Sequence, residues 1–169
     1  MRWPIVICAA LALTACEREL TPEEQAAENE RIAERVREAN SVEPPLVEVV
    51  PDAILYPDLE ANDLFGLSCA YAPGTSMGAR VIAREVDAYM KINGEMMRFA
   101  ADPGARELPA KTWSLYNARE YSLRLNIEDK ASGEQVGDGG AINYEGTIWL
   151  RDRWDRVVYQ GSGTVNCGA

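Results

Sequence analysis

From Tyr121 to Glu128 the chain alternates without a break, with Tyr121, Leu123, Leu125 and Ile127 on one side and Ser122, Arg124, Asn126 and Glu128 on the other. Successive side chains of a strand point to opposite faces, so this stretch reads as a strand with one apolar and one wet face. The same period recurs in Phe65, Leu67, Cys69 and Tyr71 and again in Val86, Ala88, Met90 and Ile92. Asn93-Gly94 then marks a tight hairpin turn, with Met97 and Phe99 on the returning strand. Ile142, Tyr144, Ile148 and Leu150 form another apolar face, and Val157, Tyr159, Val165 and Cys167 the last. About seven or eight such strands, with no helical period after Ala61, predict a mainly β domain: a small antiparallel β-barrel or sandwich. Gly161 and Gly163 fall on the inward face of the last strand, which predicts a bend or a close backbone approach there. Trp113 and Trp149 are expected in the core or the barrel wall.

The N-terminus reads as an address. Arg2 is the only charge before Glu17, and Ile5 to Leu13 is an unbroken apolar run. Nine helical residues span roughly 13 Å, too short for a bilayer core of ~30 Å, so the run predicts a signal-peptide segment rather than a mature membrane span. Leu13-Thr14-Ala15-Cys16 follows: apolar, small, small, cysteine. The pattern resembles the lipobox of bacterial lipoproteins. That resemblance implies that residues 1–15 are removed, that the Cys16 thiol carries a diacylglycerol and that the chain is anchored in the envelope facing the periplasm. Several acyl chains together give stable anchoring, since each buried CH₂ contributes about 0.8 kcal/mol. Glu17, where an aspartate would signal inner-membrane retention in such lipoproteins, favours the outer membrane.

Residues 16–62 are expected to form a lipidated stalk. Thr21-Pro22-Glu23-Glu24 is a helix start with a capping box and a proline at the first helical position. The helix is expected to run to Ala39 or Asn40 as a charged spacer, with opposite charges at Glu28–Arg31, Glu34–Arg37 and Arg35–Glu38 and only a thin apolar row of Ile32, Val36 and Ala39. Pro44, Pro45, Pro51 and Pro57 then predict an extended linker, from which residues 46–50 could add an edge strand. Residues 63–169 make up the β domain.

Composition excludes several functions. The chain has no histidine, which removes imidazole-based nucleophile systems and His-rich metal sites. Its net charge of −10 argues against nucleic-acid binding, which relies on basic patches. Of the four cysteines, Cys8 leaves with the signal and Cys16 takes lipid. Cys69 and Cys167 remain, both on apolar strand faces at the two ends of the domain, and an oxidising compartment predicts a disulfide between them.

No residue pattern here defines a catalytic centre, a metal site or a cofactor. The Gly161-Ser162-Gly163 run lacks the third glycine and the following helix of a dinucleotide site. The Gly133–Gly140 stretch lacks the alternating acids of a calcium loop and reads as a hairpin loop. Met90, Met96 and Met97 flank the Asn93-Gly94 turn, and alternate ones belong to the core face. The segment that stands out is Arg151-Asp152-Arg153-Trp154-Asp155-Arg156, at an expected hairpin tip. There Trp154 with Arg153 and Arg156 combines the residue types that dominate binding hot spots, and these three are the candidate partner-binding residues.

Phe65-Gly66-Leu67-Ser68-Cys69, Tyr89-Met90-Lys91, the Asn93-Gly94 turn and the terminal Val165-Asn166-Cys167-Gly168 together resemble an uncharacterised family of bacterial envelope proteins, a likeness that implies a fold and no activity. The layout of lipobox, spacer and disulfide-tied barrel also resembles membrane-bound lysozyme inhibitors, although that family's inhibitory loop motif is missing. The expectation is therefore a non-enzymatic envelope binding or structural module acting on another envelope protein. The alternatives are an inhibitor or protective protein against a lysozyme-like enzyme, and a carrier of a small-molecule ligand or an enzyme.

Overall fold

The computed structural model describes residues 21–74, 76, 78–129, 131, 133–137 and 139–168, so the signal segment, Cys8 and Cys16 lie outside the described residues. The chain divides into two compact units, Met1–Pro44 and Pro45–Ala169. In the first, helix α1 (Pro22–Ser41) starts as its sequence predicts. The Thr21 N–H donates to Glu24 Oε2 at 2.9 Å and the Glu24 N–H donates back to Thr21 Oγ1 at 3.3 Å, satisfying two end groups of the helix. No residue of α1 is buried. Glu28 pairs with both Arg31 at 3.7 Å and Arg35 at 3.4 Å, exposed contacts of little energetic weight. Arg37 turns instead to the carbonyl of Ala33. Among the described residues no helix is long and apolar enough to cross a membrane.

The second unit begins with β1 (Pro51–Asp52) and α2 (Tyr56–Ala61), followed by β2 (Ser68–Pro73), β3 (Val81–Ala83), β4 (Asp87–Ile92) and β5 (Glu95–Ala101). An excursion then carries β6 (Glu107–Leu108), the 3-10 turn η1 (Pro109–Lys111) and β7 (Thr112–Trp113). β8 (Leu115–Asn117), β9 (Tyr121–Ile127), β10 (Glu134–Val136), β11 (Ala141–Asp152) and β12 (Val157–Gly168) complete it. Eight strands, β2-β3-β4-β5-β8-β9-β11-β12, pair antiparallel in chain order, and β12 pairs back onto β2, so the sheet closes into an eight-stranded barrel rather than a sandwich. Closure removes the free edges that an open sheet would expose. The β2–β3, β4–β5, β8–β9 and β11–β12 connections lie at one end, the upper end. The β3–β4, β5–β8 and β9–β11 connections lie at the lower end with Ser68 and Gly168.

The interior is packed by the alternating positions. Tyr71, Met90, Phe99, Tyr116, Leu123, Leu125, Ile148, Leu150 and Val165 are fully withdrawn from water. At the lower mouth Leu108 and Thr112 of the excursion are buried as well. The Thr112 hydroxyl donates to the Pro109 carbonyl at 2.9 Å, and the Cys69 sulfur lies 3.4 Å from that same oxygen. Cys69 and Cys167 are register partners on β2 and β12 and are joined as a disulfide, with Cα atoms 4.1 Å apart. Above them, the inward glycines of β12 allow close approach. A Cβ on Gly163 would sit 2.1 Å from the Ala72 carbonyl oxygen, and one on Gly161 would sit 2.5 and 2.6 Å from the hydroxyls of Tyr71 and Tyr159.

Several local features differ from the sequence expectation. Residues 46–50 form no strand. Val49 instead donates its N–H to the Val158 carbonyl at 2.9 Å, and Pro51–Asp52 pair with the end of β4, so the segment bridges β12 and β4 at the upper end. Tyr56–Ala61 is helical rather than extended, because Pro57 falls in the first turn, where no N–H is required, and Asp58 caps the Leu55 N–H at 2.8 Å. Lys91 on the outer face of β4 holds α2 through Asp58 at 2.8 and 2.9 Å, and Ile54, Leu64, Ile82 and Tyr89 are all buried there, outside the barrel interior. Phe65, Leu67 and Val86 are exposed, since their alternation runs past the strand ends. A register shift between Leu150 and Arg151 turns Val158 inward in place of Val157.

Two measurements test this account of closure. The disulfide spans a sequence separation of 98, for which loop entropy contributes about 4–5 kcal/mol. Cys69→Ala, or reductant on the native chain, is expected to lower Tm markedly, and equal melting with and without reductant would contradict it. Gly163→Ala is expected to cost about 1–3 kcal/mol or more in urea unfolding, because the new methyl meets backbone that cannot step aside.

Candidate functional site

The β11–β12 hairpin tip is organised by one carboxylate. Asp152 Oδ1 accepts the N–H groups of Trp154 and Arg156, each at 2.9 Å, while Oδ2 accepts Arg156 Nε at 2.7 Å. An acid at the last strand position before the turn thus ties the loop to itself, and Asp155 takes the left-handed conformation (φ +62°) that reverses the chain. Burial pushes the Asp152 carboxyl up, but the Arg156 guanidinium and the two N–H groups outweigh it and hold the group below its ordinary value. Trp154 is half-buried, with the Arg153 and Arg156 guanidinium carbons 4.7 and 5.1 Å from its ring centroid. Arg153 also reaches Glu120 of the adjoining β8–β9 turn at 3.9 Å. The structure therefore brings Trp154, Arg153 and Arg156 together at the upper end.

The remaining buried charge is committed to holding the fold. Asp87, 1% exposed, accepts from Arg84 at 2.8 and 3.1 Å and from Arg98 at 2.9 Å. The bond to Asp87 holds the Arg84 guanidinium above its usual value despite desolvation. The Lys91 ammonium and the Leu55 N–H hold Asp58 below the usual carboxylate range. Tyr116 donates to the Arg84 carbonyl at 2.9 Å and accepts the Trp113 N–H at 2.8 Å, and burial pushes its hydroxyl up to about 12. Burial also raises the Tyr71 hydroxyl, next to that of Tyr159, and it has no hydrogen-bond partner among the described residues. Met90 and Met97 are register partners while Met96 faces the other way, opposite Lys91, so the methionines do not converge. Among the described residues no group of three acidic or cysteine side chains is placed to hold a metal.

A second surface escaped the sequence reading. Trp149 on β11 and Arg124 on β9 are direct register partners facing outward. Two adjoining concavities of about 500 and 350 Å³ share them, one reaching Arg151 and Asp155 and the other Arg106, Ser114 and Asn126. Trp149, expected in the core or the barrel wall, stands on the outer side of that wall, and its adjacency to Arg124 needs the β9–β11 register. No protein family, no curated protein and no solved structure matches this chain.

Two outcomes are expected at the tip. Trp154→Ala is expected to cost about 1 kcal/mol or less in denaturant unfolding, the scale of an exposed cation–π contact, and a collapsed fold would place the ring in the core. Because the Asp152 pKa is depressed in the folded chain, the stability it supplies is complete above its unfolded value of ~3.9 and is lost as pH falls through the folded one. The gap in urea midpoint between wild type and Asp152→Asn is therefore expected to be widest above pH ~4.5 and to shrink in acid.

Proposed function

We propose that this chain is a lipid-anchored protein of the bacterial envelope, held through acylated Cys16 and facing the periplasm, whose barrel is a non-catalytic binding module. The observation that carries this reading is the Cys69–Cys167 disulfide between the first and last barrel strands, a bond that persists in oxidising compartments outside the cytosol. It agrees with the lipobox at Leu13–Cys16 and with export of the chain. Glu17 fits the outer membrane.

The interior supports a module that binds on its outside. Tyr71, Phe99, Tyr116 and Met90 fill the barrel axis, where a carrier would keep room for cargo. Acid–base catalysis calls for carboxyls raised towards neutrality, whereas Asp58 and Asp152 are lowered and Asp87 is clamped by two arginines. The hairpin tip with Trp154, Arg153 and Arg156 is the surface proposed to meet an envelope protein, because a tryptophan faced by guanidiniums suits a partner that can cover the ring.

Mass spectrometry of the chain from bacterial membranes is expected to find a diacylated cysteine as residue one, and Cys16→Ser is expected to move the protein to the soluble fraction. An unmodified N-terminus released by osmotic shock would overturn the anchoring. A photo-crosslinker at position 154 in intact cells is expected to capture an envelope protein that one at exposed position 86, at the lower end of the barrel, does not. Equal capture from both positions would remove the tip from the binding role.

A further inference from the structure

We infer that the outer wall of the barrel between β9 and β11 is a binding site for an anionic carbohydrate, built on Trp149 and the guanidiniums of Arg106, Arg124 and Arg151. The lining of the two adjoining concavities holds three arginines and one acid, Asp155, in a chain whose net charge is −10. Positive charge is concentrated here against the balance of the molecule. Arg124 is exposed, and its guanidinium makes no hydrogen bond or ion pair with any described residue. Arg106 is held by a neutral oxygen, Asn126 Oδ1 at 2.6 Å, and Arg151 by the Asp155 carbonyl at 2.6 Å, with the largely exposed Asp155 carboxylate farther off at 3.5 Å. Each guanidinium keeps donors for a carboxylate.

The shape and lining select the ligand class. Arg124 lies directly across from Trp149, and Arg151 lies two residues further along the same face of β11, about 7 Å on. Charges spaced like this along an aromatic surface suit a chain carrying a carboxylate every sugar or two. The apolar face of a pyranose lies on the indole, and its hydroxyls meet Ser114 and Asn126. A peptide finds less to hold. β9 and β11 are each paired on both sides, so the wall between them offers no free edge for main-chain pairing, and beside Trp149 only Leu125 supplies apolar lining. A densely charged nucleic acid is repelled by the rest of the molecule.

The inference deepens the reading of the barrel as a binding module and is independent of the acylation of Cys16, so the two fail separately. The test uses the full chain in nonionic detergent at low salt, titrated calorimetrically with hyaluronan hexasaccharide. Saturable binding that weakens as salt rises is expected. Loss of one charge-assisted contact in Arg124→Gln is expected to weaken it about tenfold with Tm unchanged. Trp149→Leu is expected to weaken it comparably, whereas Arg80→Gln, beside β3 on the opposite side of the barrel, keeps wild-type affinity. Neutral chitohexaose is expected to bind at least about tenfold less tightly. Absence of binding, equal affinity for chitohexaose, wild-type affinity in Arg124→Gln, or tighter binding of an oligoglutamate peptide would each overturn the assignment.

Discussion

The pairing of β12 with β2 is the contact on which the barrel depends. Six register pairs from Gly163↔Pro73 to Gly168↔Ser68 join segments at opposite ends of the domain, and without them the sheet would carry two open edges. Such a non-local pairing bears a large loop-closure cost. Two features offset that cost. The disulfide at Cys69↔Cys167 limits the freedom of the unfolded chain, and Gly163 lets the two backbones come closer than any side chain would permit. The 109–112 turn then packs over the cysteines and fills the lower mouth.

Around this closed interior, charge is sorted by depth. The one buried carboxylate among the described residues, Asp87, sits at the start of β4 between two guanidiniums, and only the loss of both would leave its charge uncompensated. Asp58 and Asp152 do comparable work nearer the surface, one fastening α2 to β4 and the other shaping the hairpin tip. Five further arginines, besides those on Asp87, gather on the outer wall at Trp149 and at the tip around Trp154. Side chains of Tyr71, Phe99, Tyr116 and Met90 occupy the interior, so the barrel meets other molecules with its outside.

Much of the fold was legible because its signals are local. The Tyr121–Ile127 alternation, the Asn93-Gly94 turn and the Thr21–Glu24 capping box each rest on neighbouring residues, and each stands in the structure as read. The errors have physical causes of the same kind. Alternation continued through Phe65 and Val86 because hydrophobicity says nothing about where a strand loses its partner. Proline suggested extension at Pro57, where its first-turn position made it compatible with a helix. The hairpin tip was legible because Arg153, Trp154 and Arg156 are close in sequence. The groove was not, because Arg106, Arg124 and Trp149 come from three separate segments.

The sequence by itself determined that the domain is built of antiparallel strands, which faces are apolar, and that two cysteines sit on inward positions at its two ends, since these follow from residue type and a period of two. Only the tertiary structure decided that the sheet closes as a barrel, that Cys69 faces Cys167 across one register pair, and that Trp149 meets Arg124 on the outer wall. Those are relations between distant segments, settled by strand register and closure, and a one-residue slip in register would have turned every one of these side chains to the other face.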